Sequence, residues 1–204
     1  MTGLPKLVFA TNNAHKLKEI KSMLKDSVSI FSLSDIGCTD ELPETSSSLT
    51  GNALQKARYV FDKYGMNCFA DDTGLEIDAL GGRPGVYSAR FSGLNATYRQ
   101  NVEKVLTEMK GIENRSARFK TVIAFITDQG QKCFEGVIEG SITEAGRGEQ
   151  GFGYDPVFLP EGSTRTFAEM TEEEKNKMSH RGRALHKLVR YLKEQQVVAG
   201  NSGL

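Results

Sequence analysis

The stretch FADDTGLEIDALGGRPG, residues 69–85, sets Asp71 directly beside Asp72 and follows them with Glu76 and Asp78. Adjacent like charges repel, so the pair implies a cation that offsets it. Hard carboxylate oxygens at a strand end suit Mg2+, which keeps several waters and shares phosphate oxygens with its protein ligands. The plain alternative is an Asx-turn bearing a surface acid. If 67–71 is a strand closed by a Thr-Gly turn, Asp71 and Asp72 point to opposite faces, one toward a cleft and one toward a structural partner.

Three other segments could act on the same ligand. In TNNAHK, residues 11–16, a strand gives way to a helix, and the free N–H groups and dipole of a helix start attract an anion that Lys16 could also reach. A capped helix with a solvated lysine is the competing reading. GFGYDPVF, residues 151–158, offers Phe152 or Tyr154 for stacking on a flat ring, with glycine allowing close backbone approach; otherwise it is an aromatic core strand with a bulge. EEEKNKMSHRGRAL, residues 172–185, reads as a charged run ending at Ser179, an N-cap that puts His180 and Arg181 in the first turn of the last helix. Cations there oppose the dipole, which hints at a ligand that offsets them.

Some look-alikes fail. The aspartates are adjacent rather than spaced Asp-x-Asp, as a haloacid-dehalogenase-type phosphatase requires. Gly146 to Gly151 spells G-x-G-x-x-G, but FGYDPVF follows it instead of a helix. No G-x-x-x-x-G-K-[ST] occurs, which excludes a P-loop.

The elements that must hold these groups alternate early. A buried strand at 6–11 leads through Asn13, a plausible N-cap, into a helix with Leu17, Ile20 and Leu24 on one face. A strand at 28–32 and a polar loop to residue 50 precede a second helix carrying Ala53, Leu54, Ala57, Val60, Phe61 and Tyr64. After the strand at 67–71 and an irregular GGRPG comes a helix within 98–109. A hairpin of strands 118–127 and 132–141 turns at Asp128-Gln129-Gly130. The last helix buries Ala184, Leu185, Leu188, Val189 and Leu192 and turns Lys187, Arg190 and Lys193 outward. The pattern predicts an α/β fold with a mixed sheet, as one domain over 1–195 and a frayed tail over 196–204.

At 204 residues, the chain is long enough for a proper core; Lys+Arg and Asp+Glu are both 26, which argues against a general nucleic-acid or membrane-surface binder. Cys38, Cys68 and Cys133 are odd in number and lack C-x-x-C spacing, and no apolar run suits a signal peptide or a membrane span. A cytoplasmic location is expected.

Taken together, TNNAHK, NALQKA (52–57), ADDTGLEIDALGGRPGVYSAR (70–90), GFGYDPVF and KNKMSHRGRAL (175–185) resemble the inosine/xanthosine triphosphate pyrophosphatases, in the family's order and across nearly the whole chain. The resemblance implies an elongated mixed β-sheet flanked by helices, two lobes around a central nucleotide-binding cleft, Mg2+ dependence and a homodimer. It implies hydrolysis of non-standard purine nucleoside triphosphates to monophosphate and pyrophosphate. Thr11, Asn12, Asn13, Ala14, His15, Lys16 and Lys56 would hold the triphosphate. Glu44 and Asp72 would hold the metal, Asp72 would also act on the attacking water, and Thr73 would touch the substrate. Phe152, Gly153, Tyr154, Asp155, Lys175, His180 and Arg181 would line the nucleotide pocket. The sequence departs from the family at Ser46, where glycine is frequent. Two alternatives stand beside this reading: a Maf-like pyrophosphatase with another base preference, and a nucleotide sensor without turnover.

Overall fold

The structure, a computed structural model, describes residues 5–201. The elements follow in order: β1 (Lys6–Phe9), α1 (Ala14–Leu24), β2 (Ser29–Phe31), α2 (Leu49–Tyr64), β3 (Cys68–Ile77), β4 (Pro84–Gly85), α3 (Tyr98–Glu108), β5 (Ser116–Thr127), β6 (Gly130–Ile142), β7 (Phe158–Pro160), α4 (Glu172–Met178) and α5 (His180–Asn201). They form one mixed sheet in the order β2-β1-β3-β5-β6-β7, with β4 attached to β3. β1 runs parallel to β2 and β3, and the remaining pairs are antiparallel. This is the expected α/β fold with a mixed sheet. Helix α5 continues to Asn201, so the expected tail is helical that far; residues 202–204 lie outside the described residues.

Length makes the sheet serve two lobes. β3, β5 and β6 span 10, 12 and 13 residues, far more than one helix layer covers. Their first-lobe portions alternate in the usual period of two. Cys68, Ala70, Val122 and Ala124 face α2, while Phe69, Ile123, Phe125 and Phe134 face α1 and α5. Farther along, Leu75, Ile77, Phe119, Ile138 and Ile142 join Val105 and Met109 of α3 and the aromatic rings of Phe158 and Phe167 in a separate core. The cleft lies where the cores part.

Two local expectations are corrected. Asp71 does not end its strand, and Thr73-Gly74 is not a turn: β3 stays in register with β5 from Cys68 opposite Ile126 to Ile77 opposite Ala117. Gly74 is required for another reason, since a Cβ there would sit 2.7 Å from the Gly85 carbonyl oxygen and push β4 off the sheet. The acidic run at 172–178 is the helix α4, started by a capping box in which Thr171 accepts from Glu174 N–H and Glu174 reaches back.

Candidate active site

A cleft of about 630 Å³ opens between the lobes, within the size range of small-molecule sites. Thr11, Asn12, Asn13, Ala14, His15, Lys16, Glu44, Lys56, Asp72, Thr73, Phe152, Gly153, Tyr154, Asp155, Lys175, His180 and Arg181 all line it. Every residue assigned by resemblance is therefore brought to one place, from seven separate segments. Val86, Ser88, Ala89, Arg90, Tyr98, Asn101 and Phe119 join them.

The two aspartates answer to different partners. On one face of β3, Asp71 accepts from Lys16 Nζ (3.0 Å) and Arg181 Nε (3.1 Å). Burial would raise its carboxyl, but the Lys16 and Arg181 charges outweigh burial and hold it well below the usual carboxylate range. The cations that make Asp71 tolerable are thus side chains of this chain. On the other face, Asp72 accepts from Lys56 Nζ (3.3 Å) and Asn52 Nδ2 (3.1 Å). Burial pushes the Asp72 carboxyl above its ordinary value; Lys56 and Lys16 oppose this, and Glu44 adds to it.

Asp71 belongs to a chain of six alternating charges: Lys16, Asp71, Arg181, Glu19, Lys175 and Asp155. Arg181 Nη1 donates to Glu19, whose other oxygen accepts from Lys175 Nζ at 2.8 Å; Lys175 reaches Asp155 at 2.6 Å. Burial would raise Glu19, yet Arg181 and Lys175 hold it below its ordinary value. The hint that a ligand offsets the cations at the start of α5 has another explanation here: side chains of this chain already offset Arg181. Glu19 and Asp71 neutralise Arg181, and burial followed by the Arg181 and Lys175 charges drives the His180 pKa well below 6.5, so the ring is neutral. Ser179 caps α5 as expected, with Oγ accepting from Gly182 N–H. Arg181 uses three of its five N–H groups on Glu19, Asp71 and Thr73, and two have no partner among the described residues.

His180 stacks on Phe119 with ring centroids 4.5 Å apart, and its Nδ1 is buried with no partner among the described residues. Gly136 allows α5 this close to β6, because a Cβ there would lie 2.0 Å from the His180 carbonyl oxygen. GFGYDPVF is neither strand nor bulge but a glycine-hinged turn into a single 3₁₀ turn before β7. Gly151 has φ +75°, and a Cβ on it would strike Asp155 Oδ2, the atom that accepts from Phe152 N–H at 2.8 Å. Of the two aromatic candidates, Tyr154 is committed to the second core, its hydroxyl donating to the Ser88 carbonyl at 2.8 Å. Phe152 is left half-buried in the cleft, with His15 stacked at 5.2 Å and Lys175 Nζ at 4.8 Å from its ring.

The start of α1 is more occupied than expected. Asn13 Oδ1 accepts from both His15 and Lys16 N–H, and the Asn13 carbonyl takes Leu17 N–H. Ala14 N–H is the first-turn donor that Asn13 leaves free. At the other end, the loop bearing Glu44 is pinned to α2 because Ser46 N–H donates to Asn52 Oδ1 (2.8 Å) and Gln55 Oε1 (3.3 Å). That places Glu44 against Lys56 Nζ and within 3.8 Å of Arg90. Lys56 thereby ties Glu44 to Asp72; burial lowers the Lys56 pKa, but the two carboxylates outweigh it and hold it above its ordinary value.

Glu19, Asn52 and Tyr98 were missed from the sequence. Glu19 had a signal: it is an acid adjoining Ile20 on the buried stripe of α1, three residues after Lys16. Asn52 stands four residues before Lys56, which places both on one helix face.

The Ham1 family model matches residues 7–191. Among curated relatives, the dITP/XTP pyrophosphatase of Flavobacterium psychrophilum is 51% identical over 92% of this chain and 98% of its own. That of Porphyromonas gingivalis is 52% identical over 93% and 98%. A Ham1 protein structure from Coxiella burnetii superposes with a TM-score of 0.86 at 38% identity, covering 94% of this chain and 100% of that one. The Staphylococcus aureus Ham1 structure gives 0.85 at 34% identity, covering 93% and 99%. The resemblance carried by the five segments is borne out, and the chain belongs to the Ham1 family.

Proposed function

We propose that this protein is a nucleoside triphosphate pyrophosphatase that hydrolyses non-standard purine nucleotides, ITP, dITP and XTP, to the monophosphate and pyrophosphate. The observation that carries the reading is the make-up of one cleft. Lys16, Lys56 and the carboxylate of Asp72 line it together with Phe152, His180 and Arg181. The bacterial relatives are named dITP/XTP pyrophosphatases, which supports the dITP and XTP part of this reading.

Hydrolysis between the α- and β-phosphates needs an oriented water and relief of charge on the leaving pyrophosphate. Asp72 orients and deprotonates the water. Asn52 and Lys56 hold its two oxygens from α2, so the carboxylate keeps one direction without moving. Lys16 and Lys56 are point charges for the pyrophosphate, together with Ala14 N–H and the Thr11 and Asn12 side chains. Glu44 and Asp72 fit Mg2+: both are hard oxygen donors, both line the cleft, and they meet at Lys56. The bound ion would polarise phosphoryl oxygens.

At the base end, Phe152 stacks on the purine. The two unused Arg181 N–H groups can donate to a 6-oxygen, whereas adenine presents a donor amine and would leave them unpaired. His180, being neutral, contributes a donor or an acceptor according to tautomer rather than a charge. We propose further that the enzyme is a cytoplasmic homodimer; among the described residues no helix is long and apolar enough to cross a membrane. A panel of ITP, dITP, XTP, ATP and GTP with Mg2+, assayed separately for pyrophosphate and phosphate, tests the reading. Pyrophosphate from the first three is expected, and phosphate release or equal use of ATP contradicts it.

A further inference from the structure

Tyr98 opens α3, which packs on the second core, yet its side chain reaches across the cleft mouth to groups of the first lobe. Its ring stands edge-on to His15 at 6.0 Å and tilted against Phe152 at 5.9 Å. Its hydroxyl accepts from Asn13 Nδ2 at 3.3 Å. The three partners are residues on which the proposed activity depends: Asn13 caps α1 at the phosphate end, His15 sits in its first turn, and Phe152 is the stacking ring. Tyr98 itself belongs to none of the segments that resemble the family.

A tyrosine 39% exposed with no ring contacts would need no explanation. Here Leu94, a few residues earlier on the same approach to α3, is 87% exposed and outside the cleft lining, while Tyr98 turns inward onto two rings. The capping box of Thr97 and Gln100 fixes the start of α3 and hence the direction of the residue between them.

We propose that Tyr98 is a positioning residue that clasps the cleft mouth, holding His15 and Phe152 in the arrangement that receives the nucleotide. The ring carries this role. The bond to Asn13 is long and lies in partly exposed surroundings, where a neutral hydrogen bond adds little. Aromatic pairs at these distances each stabilise by an amount that, for two contacts, corresponds to roughly tenfold in an equilibrium constant. The clasp therefore acts on nucleotide affinity and leaves the Asp72 chemistry alone.

The inference rests on the pyrophosphatase reading, and the test separates the two. Tyr98→Ala, Tyr98→Phe and Leu94→Ala are compared for pyrophosphate release from dITP and, without nucleotide, for amide exchange over residues 12–16 and 151–154. Tyr98→Ala is expected to raise KM about tenfold with kcat within about twofold, and to speed exchange in both segments. Tyr98→Phe restores both readouts, and Leu94→Ala changes neither. Unchanged exchange and unchanged KM in Tyr98→Ala overturn the clasp, as does a fall in kcat at constant KM. If the wild-type protein releases no pyrophosphate, the functional reading fails, and the exchange comparison still decides whether Tyr98 orders the mouth.

Discussion

Asp71 and Asp72, neighbours in β3, face opposite ways: the first accepts from Lys16 and Arg181, the second from Lys56 and Asn52. The alternation of a strand divides the labour. Asp71 is engaged by Lys16 and Arg181 and ties the start of α1 to the start of α5. Asp72 keeps a carboxylate at the cleft wall whose pKa burial raises, as suits a water-activating group.

Asp72→Asn keeps the shape and the Asn52 contact surface but removes the basic oxygen. Turnover of dITP should fall at least ~10²-fold, the usual scale for a positioned base, with an unchanged circular dichroism spectrum. Near-wild-type turnover would remove Asp72 from its role.

Glu19 touches no substrate group directly, yet Lys175 and Arg181 both depend on it. Glu19→Ala would leave two buried cations short of a partner, a situation that costs about 3–5 kcal/mol. Urea denaturation should show that loss. Glu19→Gln, which keeps the volume, should recover part of the stability and raise KM more than it lowers kcat. A variant as stable as wild type would mean that the six-charge chain contributes nothing at Glu19.

Glu44 is held by Lys56 and Arg90, so its proposed role as a Mg2+ ligand and its contact with Lys56 can be tested separately. Chelation with EDTA should abolish pyrophosphate release, and added Mg2+ should restore it. Glu44→Gln should raise the Mg2+ concentration for half-maximal rate by about tenfold, as loss of a metal-binding group does. An unchanged Mg2+ requirement with a raised KM for dITP would assign Glu44 to Lys56 alone.

His180 and Glu19 are among the groups that shape the acid side of stability. The folded pKa of His180 lies below 6.5, so as pH falls through 6.5 the unfolded chain takes a proton that the folded chain refuses, and stability is lost. Glu19 has a folded pKa below 4.5; its contribution is complete above 4.5 and is lost as pH falls through the lower folded value. The urea midpoint should therefore decline already between about pH 6.5 and 5, and His180→Gln should flatten that portion while leaving the later decline. A midpoint constant over that interval in the wild type would contradict a buried neutral His180.

Much of this was legible beforehand because local rules and tertiary structure agree. The stripes of α2 and α5, the Asn13 and Ser179 caps and the hairpin at Asp128 all form as periodicity and capping chemistry predict. Asp71 and Asp72 were read correctly as facing opposite ways, although the strand does not stop there. Its continuation could not be read locally, because Gly74 and the acids look like a turn until β5 is known to pair through Ile77. The fate of Arg181 was hidden for a similar reason: its partners lie 162 and 110 residues away, at Glu19 and Asp71. Tyr98 carries no local signal at all, since an exposed aromatic at the start of a helix looks ordinary until the cleft beside it is assembled.

In the proposed reaction, water attacks the α-phosphorus of the nucleotide. Hydrolysis of dITP in water enriched in heavy oxygen, with mass analysis of both products, decides the point. One heavy oxygen is expected in the monophosphate and none in the pyrophosphate; label in pyrophosphate, or in free phosphate, would overturn the reaction proposed for this cleft.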